Sequence, residues 1–328
     1  MRLASGAAFL LMAWAAHAHG QDGPRPAIAP SGDGEGLRSS AVMSLIAAAE
    51  ESLFGDVYAQ GRWRPLTFRS FFTDGWLEPW GEAPAGRDGH APRHGWLGSF
   101  NGVFYRLWTT NLDYTNALNT AYHGNRYDSS LSVFLPFSRR FELLIDEPYL
   151  VANGTTDVRR GYITQSGDLT ITPRFLLAED EATTHIFSLD VRTPTGSPAT
   201  GGGLLSLNPR YEFWNNPVGP WVARGSASFA VPIGHAPASG PTSFVGGFAL
   251  GRYFTPHDVP FGDLVFYAAC DLAVPLDRTS STSTSVTIGP GTRFHLGEDF
   301  YILNFWGFPV TGPHPDAYSV QFGIVKIF

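Results

Sequence analysis

Hydrophobic and polar residues alternate along most of the chain after residue 98, and the alternation has the period of a β-strand. In the last stretch Tyr318, Phe322 and Ile324 fall on one face of such a strand, whereas Ser319 and Gln321 fall on the other. Residues that favour turns, such as Gly and Pro, separate the alternating stretches, and no helical period persists among them. The pattern predicts an all-β fold of antiparallel strands.

The predicted strands are about as long as a bilayer requires, since a tilted transmembrane β-strand needs roughly 9–11 residues. Longer connections follow the odd-numbered strands and shorter ones the even-numbered strands, which is typical of outer-membrane barrels. We therefore predict an antiparallel transmembrane β-barrel of about twelve strands. The predicted strands are 99–112, 127–137, 140–151, 167–177, 184–194, 204–214, 220–232, 243–254, 263–275, 284–296, 300–309 and 317–328.

Residues 1–20 have the pattern of a secretory signal peptide. Arg2 supplies the positive charge, an apolar run follows, and Ala16-His17-Ala18 is a small-x-small cleavage site. We expect an exported chain in which residues 21–97 form a leader, a short helix and a Trp-rich segment. That segment is either periplasmic or a plug. The barrel is expected to occupy residues 98–328.

One helix is predicted before the strands, over Ser39–Phe54. A serine at its start can cap it, and Gly55 can end it. Its apolar stripe has to pack against its own domain or across a barrel mouth. The stripe consists of Val42, Leu45, Ile46, Ala49 and Leu53.

Four tryptophans lie among many Gly and Pro residues between residues 62 and 96. This composition predicts an ordered loop pinned by aromatic side chains, in a plug or a periplasmic cap; the alternative is a surface on which sugars stack. Asp88, His90 and His94 are close together here, but without a fixed spacing they are a weak metal signal, and no metal site is predicted. The tryptophans are Trp63, Trp76, Trp80 and Trp96.

Charged residues of both signs lie near the middle of several predicted strands, on the polar face. Inside a barrel they would pair with one another or with water, whereas on a soluble sandwich they would be a solvated outer face. We favour the lumen. The predicted lumen-lining residues are Arg174, Asp190, Arg192, Arg210, Glu212, Arg224 and Arg293. The aromatic residues predicted to form interfacial girdles are Trp108, Tyr149, Trp214, Trp221, Tyr253 and Trp306.

The final strand ends on Phe328, with apolar residues at alternate positions before it. This ending resembles the C-terminal strand of bacterial outer-membrane β-barrels, which the barrel-assembly machinery recognises. Lys326 departs from that pattern, since an aromatic or aliphatic residue is usual there. The resemblance implies a location in the outer membrane, with lipid around the barrel. A buried edge strand of a secreted soluble β-sandwich could also end this way, and that alternative stays open.

Two short stretches carry a second resemblance. The stretch from Ser166 to Phe175 contains a Gly-Asp strand start, and the stretch from Asp190 to Gly196 ends in Pro-Thr-Gly. Both are similar to the outer-membrane proteins named for the meta-pathway of phenol degradation, over roughly residues 166–328. That family implies an outer-membrane barrel with a suspected role in the uptake of hydrophobic or aromatic compounds. It carries no catalytic residues to transfer.

Composition and motifs exclude several functions. A net charge of −7 argues against nucleic acid as a partner. His185 and Ser188 are three residues apart, so a strand places them on opposite faces, where they cannot act as base and nucleophile. We predict passive passage or binding of a small solute, with no enzyme activity and no cofactor. A secreted β-sandwich that binds sugars and an outer-membrane hydrolase are the alternatives.

Overall fold

The structure is a computed structural model, and it covers the barrel and the segment before it. The predicted signal peptide, most of the predicted leader, Asp88 and His90 lie outside the described residues. The described residues are 33–84, 91–99, 102–116, 125–154, 161–197, 203, 205–233, 242–277, 283–311 and 316–328.

The described chain begins with a long helix and continues into a series of antiparallel strands. The helix is α1 (Asp33–Phe54). The strands are β1 (Leu107–Asn116), β2 (Arg126–Pro136), β3 (Phe141–Gly154), β4 (Tyr162–Gln165), β5 (Thr170–Glu179), β6 (Thr183–Arg192), β7 (Leu205–Val218), β8 (Trp221–Ile233), β9 (Ser243–Tyr253), β10 (Val265–Pro275), β11 (Ser285–Gly297), β12 (Phe300–Pro309) and β13 (Tyr318–Ile327).

The strands close into an antiparallel barrel with twelve strand positions around its wall, one of which is shared by β4 and β5. Each strand pairs with its neighbours in sequence, and β1 also pairs with β13, so the first strand meets the last. β4 and β5 pair with successive parts of β3 and together form one interrupted strand. The predicted barrel is therefore confirmed. The fourth strand, predicted as 167–177, in fact begins at Tyr162 and is broken at 166–169.

The connections sort onto two ends of the barrel. One end, termed the turn end, carries short turns and the start of β1, where the Phe328 N–H donates to the Arg106 carbonyl at 3.2 Å. The other, termed the loop end, carries mostly longer connections, as the sequence predicted. The connection 254–264 is an exception, since it is long and lies at the turn end. The short turns are 137–140, 180–182, 219–220 and 298–299.

The outer face of the strands is mostly apolar, and most of the charged side chains of the strands face inward. Phe187, Phe229 and Phe266 are exposed on the outer surface, whereas Arg174 and Glu212 are buried inside. A soluble sandwich has the opposite arrangement, because its apolar residues must leave water. An apolar outer wall is instead what hydrocarbon requires. The alternative of a secreted β-sandwich is therefore wrong.

The first predicted strand, 99–112, is wrong in its first half. β1 starts only at Leu107, and the described residues 102–106 continue into the barrel interior instead. The Tyr105 N–H donates to the side-chain Oε1 of Glu142 at 2.5 Å rather than to a main-chain carbonyl of a neighbouring strand. The apolar residues of this stretch are buried among side chains inside the barrel and do not belong to a strand.

The helix begins earlier than predicted, and its predicted apolar stripe packs only in part, with Leu45, Ala49 and Leu53 half-buried. Val42 and Ile46 are exposed, while Ala48 and Ser52 are buried. The physical reason is a polar anchor, since the Trp80 N–H donates to Ser52 Oγ at 2.7 Å. Among the described residues, no helix is long and apolar enough to cross a membrane.

Residues 55–84, termed the cap segment, lie at the turn end and pass over its rim. Leu66 forms a β-bridge with Glu179 and is buried in an apolar cluster inside. Trp76, in contrast, packs against Phe175 at a ring distance of 6.3 Å. Phe175 belongs to the outer wall, because its neighbour Arg174 points inward. The cap segment therefore adds aromatic side chains to the outer surface at this end.

Arg140, in the turn between β2 and β3, ties the cap segment to the barrel. Its guanidinium donates to the carbonyls of Asp74 (2.9 Å) and Thr67 (3.2 Å) on the cap segment, and to those of Leu176 (2.8 Å) and Leu177 (2.9 Å) on β5. Burial lowers the pKa of Arg140 to about 10, so the group stays charged at neutral pH.

We expect Arg140→Met to release the loop 66–76 from the barrel without unfolding the strands. The substitution removes the guanidinium that donates hydrogen bonds both to this loop and to β5. Limited digestion with chymotrypsin should then cut this Phe-rich loop several-fold faster, while the barrel keeps its heat-dependent gel mobility. Arg69→Met, at an exposed position on the same loop, is the matched control. Equal digestion of Arg140→Met and wild type would show that Arg140 does not hold the loop.

Candidate functional site in the barrel lumen

Residues 91–99 and 102–105, termed the lumen segment, run through the interior of the barrel. Trp96 is buried there, with its ring stacked on Tyr267 at a centroid distance of 4.7 Å and an angle of 11°. Its indole N–H donates to the Tyr253 hydroxyl at 3.2 Å, and the Arg224 guanidinium lies 5.3 Å from the ring centroid. Since β9 ends and β10 begins at the turn end, Trp96 lies across the lumen near that end.

Two glycines allow this close packing. A Cβ atom on Gly251 would lie 2.6 Å from the Trp96 ring, and one on Gly291 would lie 2.2 Å from the Tyr267 ring. Both glycines are cross-strand neighbours of Tyr267, on β9 and β11, so the two rings pack directly against the bare backbone of this wall. The wall therefore accepts the aromatic stack only where it carries no side chain.

Side chains of the barrel hold the lumen segment mainly by its carbonyl oxygens. Such bonds satisfy main-chain acceptors that would otherwise be buried without partners. The donors are buried arginines and a tyrosine. The four bonds run from Arg224 to His94 (2.5 Å), from Arg293 to Gly95 (3.4 Å), from the Tyr267 hydroxyl to Leu97 (2.8 Å) and from Arg174 to Val103 (3.1 Å).

The most deeply buried ion pair joins β5 to β3. Arg174 and Glu142 are 1% and 0% exposed, and they contact each other directly. Glu212 on β7 approaches Arg174 to 3.5 Å, so one guanidinium serves two carboxylates. Buried charges of this kind are stable only when each has its partner. The cluster therefore links three strands and the lumen segment.

A second set of ion pairs lies closer to the loop end. Arg210 pairs with Asp190 directly and with Glu212 at 3.6 Å. Arg192 pairs with Asp168 at 2.9 Å. The Arg210–Asp190 pair joins β7 to β6, whereas Arg210 and Glu212 both belong to β7, so the charges pair along the inner wall as the charge pattern predicted for a lumen.

A cavity of about 360 Å³ lies between the lumen segment and the loop end. Its floor includes Trp96 and Tyr105, and its wall rises to Thr170 at the start of β5 and Arg192 at the end of β6. The wall is amphipathic. Its apolar side chains are Leu107, Phe134, Leu144, Leu303 and Val325, and its charged side chains are Asp146, Asp190, Arg192, Arg210 and Arg293.

The predicted lumen residues all lie on the inner face of the wall. Asp190, Arg192, Arg210 and Arg293 line the cavity. Arg174, Glu212 and Arg224 lie deeper, toward the turn end. Their part in solute passage stays a prediction.

The predicted charge pairing is wrong for Arg224 and Arg293. Both bind main-chain carbonyls of the lumen segment instead, and within the described part of the chain neither has an ion-pair partner. The alternation of a strand places a charge on a face, but it cannot say whether a carboxylate or a carbonyl lies opposite.

Sequence reasoning also missed the partners Glu142 and Asp168. Glu142 had a signal, since it lies between Phe141 and Leu143 in a predicted strand and so falls on the polar face. The sequence contains no comparable signal for the path of the lumen segment. A plug was one possibility before residue 98, but carbonyl oxygens occur in every residue and mark no position.

Two of the aromatic residues predicted for the girdles are inside the barrel. Trp214 and Tyr253 are buried, and the Arg93 guanidinium lies 4.6 Å from the Trp214 ring centroid. Trp214 shares a face with Glu212, so the alternation already marked it as interior. The remaining four, on the outer surface, are Trp108, Tyr149, Trp221 and Trp306.

The Trp-rich region packs against the barrel and does not form a sugar-stacking surface. Trp80 and Trp96 are buried, and the Trp63 indole N–H donates to Glu179 at 2.7 Å. His94 lies 3.3 Å from Asp263 rather than beside a set of ligands. Within the described ranges, no group of three or more His, Cys, Asp or Glu side chains has an arrangement that could hold a metal ion.

No family model matches the chain, and no curated protein matches it in sequence. Solved structures do match. An outer membrane channel from Pseudomonas putida F1 aligns over 69% of this chain and 97% of its own, with a TM-score of 0.52 and 11% identity. This chain has the barrel fold of that channel. The NanC porin (67% and 99% covered, TM-score 0.48, 8% identity) and the KdgM porin (67% and 99%, 0.44, 8%) also align.

Proposed function

We propose that the chain is an outer-membrane channel that binds a small solute in the lumen and lets it pass. The observation that carries the proposal is the cavity of about 360 Å³ inside a closed barrel, lined by both ion pairs and apolar side chains. Pockets of this kind fix a ligand by a few polar groups and bind its body by apolar contact. Passage would depend on the shape and charge of the lumen, not on bond chemistry.

The outer membrane is the location that we propose. An apolar outer wall needs lipid, and closed barrels are one of the two folds that satisfy their backbone in it. The barrel-assembly machinery is the proposed partner during insertion, through the strand that ends in Phe328. In support, β13 is the strand that closes the barrel against β1.

A hydrophobic or aromatic solute is the finer proposal. It rests on the resemblance to the meta-pathway of phenol degradation proteins, and the apolar side of the cavity supports it. Leu107, Leu144 and Leu303 line that side beside Phe134 and Val325.

We propose a channel rather than an enzyme. The hydrolase alternative needs a nucleophile and a base on one surface. Ser188 is buried inside, whereas His185 lies on the outer wall, hydrogen-bonded to Tyr211 at 2.6 Å. This pair therefore cannot act together.

Removal of the Arg210 charge should shift the lumen toward cation selectivity, because Asp190 and Glu212 then keep their charge without it. The measurement is the reversal potential of protein reconstituted in planar bilayers across a salt gradient, for Arg210→Gln and wild type. Arg252→Gln is the matched control, since Arg252 is exposed on the outer wall. Absence of any current or solute flux through the wild type would overturn the channel proposal. Identical reversal potentials would overturn the role of Arg210 alone.

A further inference from the structure

We propose that the lumen cavity holds a specific site for a small monocarboxylate with an apolar body, in which Arg293 binds the carboxylate. This inference rests on the proposed function, since it names the chemical class of the solute.

Arg293 is the arginine of the cavity wall that forms no salt bridge with a described residue, although Glu82 attracts it from a longer distance. It is 1% exposed, and its guanidinium lies 4.0 Å from the centroid of the Tyr301 ring. Its Nη1 donates to the Gly95 carbonyl at a long 3.4 Å. Among the described residues, no carboxylate lies within salt-bridge distance of it, and its Nε has no hydrogen-bond partner.

The other two arginines of the cavity wall differ in this respect. Arg192 pairs with Asp168, and Arg210 pairs with Asp190. A buried cation without a carboxylate in direct contact is costly, and a carboxylate supplied by a ligand lowers that cost. The planar guanidinium also matches the two oxygens of a carboxylate.

The rest of the wall defines what the carboxylate is attached to. Leu303 and Val325, on the strands that follow β11 in the sheet, line the cavity beside Arg293, and Leu107 continues this side on β1. An alkyl or aryl body can pack there, and the cavity of about 360 Å³ accepts a chain of several carbons.

The wall also selects against a second negative charge. Asp146 lines the same cavity on β3, where it accepts a hydrogen bond from Ser132 at 2.5 Å and has no ion-pair partner within the described ranges. A dianion with a carboxylate at each end would bring one of them toward Asp146 or Asp190. We therefore expect one charge and one apolar end.

The test is calorimetric titration of the protein in lipid nanodiscs with hexanoate, hexanamide and hexanedioate, with empty nanodiscs as the blank. Hexanoate should bind at least about tenfold more tightly than hexanamide, since bonds between two charged groups exceed those to a neutral group. Hexanedioate should bind more weakly than hexanoate. This comparison needs no variant, and equal binding of hexanoate and hexanamide would overturn the proposal.

Variants then assign the site to Arg293. Arg293→Gln should lose the preference for hexanoate over hexanamide, and Arg293→Lys should keep it, because the lysine preserves the charge. Arg224→Gln is the control for movement of the lumen segment: Arg224 also donates to a carbonyl there, yet it does not line the cavity. Loss of the preference in Arg224→Gln, or its survival in Arg293→Gln, would contradict the assignment.

The two proposals can fail separately. Protein that conducts in bilayers but shows no preference for hexanoate would retain the channel and lose the carboxylate site. Protein that binds hexanoate with this preference but passes neither ions nor solutes would retain the site and lose the channel.

Discussion

Replacement of Arg174 by methionine is expected to lower the free energy of unfolding of the barrel by about 3–5 kcal/mol, the usual cost when one partner of a buried ion pair is removed. Glu142 is 0% exposed and would lose the guanidinium that neutralises it, so it would have to stay as an unpaired buried charge or take up a proton, and either state costs free energy. Glu212 would lose the same neighbour at 3.5 Å, and the Val103 carbonyl would lose its donor.

Urea titration of protein refolded in lipid vesicles, followed by tryptophan fluorescence, measures this loss. The double variant Arg174→Met/Glu142→Gln should recover most of it, since no uncompensated charge remains and the amide oxygen can still accept from the Tyr105 N–H. Arg252→Met, on the outer wall, is the control of equal size and should have little effect. A single variant as stable as wild type would show that Arg174 is not needed to neutralise Glu142.

The sequence predicted the barrel wall well because the side chains of a strand point to the same face at every second residue. Arg210 and Glu212 could be placed on one face together from their spacing alone, and the structure has both on the inner wall. The same rule placed Phe187 and Phe229 outside. The period of the strand is a local property, so it can be read without knowing what lies across the lumen.

The interior could not be predicted in the same way. The lumen segment has no regular secondary structure in its described part, so it has no period to detect. Arg224 and Arg293 bind carbonyls of His94 and Gly95, and any residue could supply those acceptors. Which stretch enters the barrel therefore depends on the packing of one anchor, Trp96, against Tyr267 and Gly251 of the wall.

That anchor leads to the prediction with the largest effect on passage. Trp96→Ala should raise single-channel conductance severalfold. The ring lies between the cavity and the turn end, so its removal would leave a space that widens the path from the cavity toward that end. The substitution should also destabilise the protein by about 3–5 kcal/mol, as large aromatic-to-alanine changes in cores do. The measurement is planar-bilayer recording beside urea titration.

Trp306→Ala is the matched control, since Trp306 is exposed on the outer wall and its loss leaves the lumen unchanged. The two readouts separate two roles of Trp96. If the variant is destabilised but conducts as wild type, the ring packs the interior without closing the path, and the restriction lies elsewhere. If conductance rises as expected, the lumen segment is what limits passage, and the contacts of Trp96 with Tyr267 and Tyr253 decide how narrow the path is.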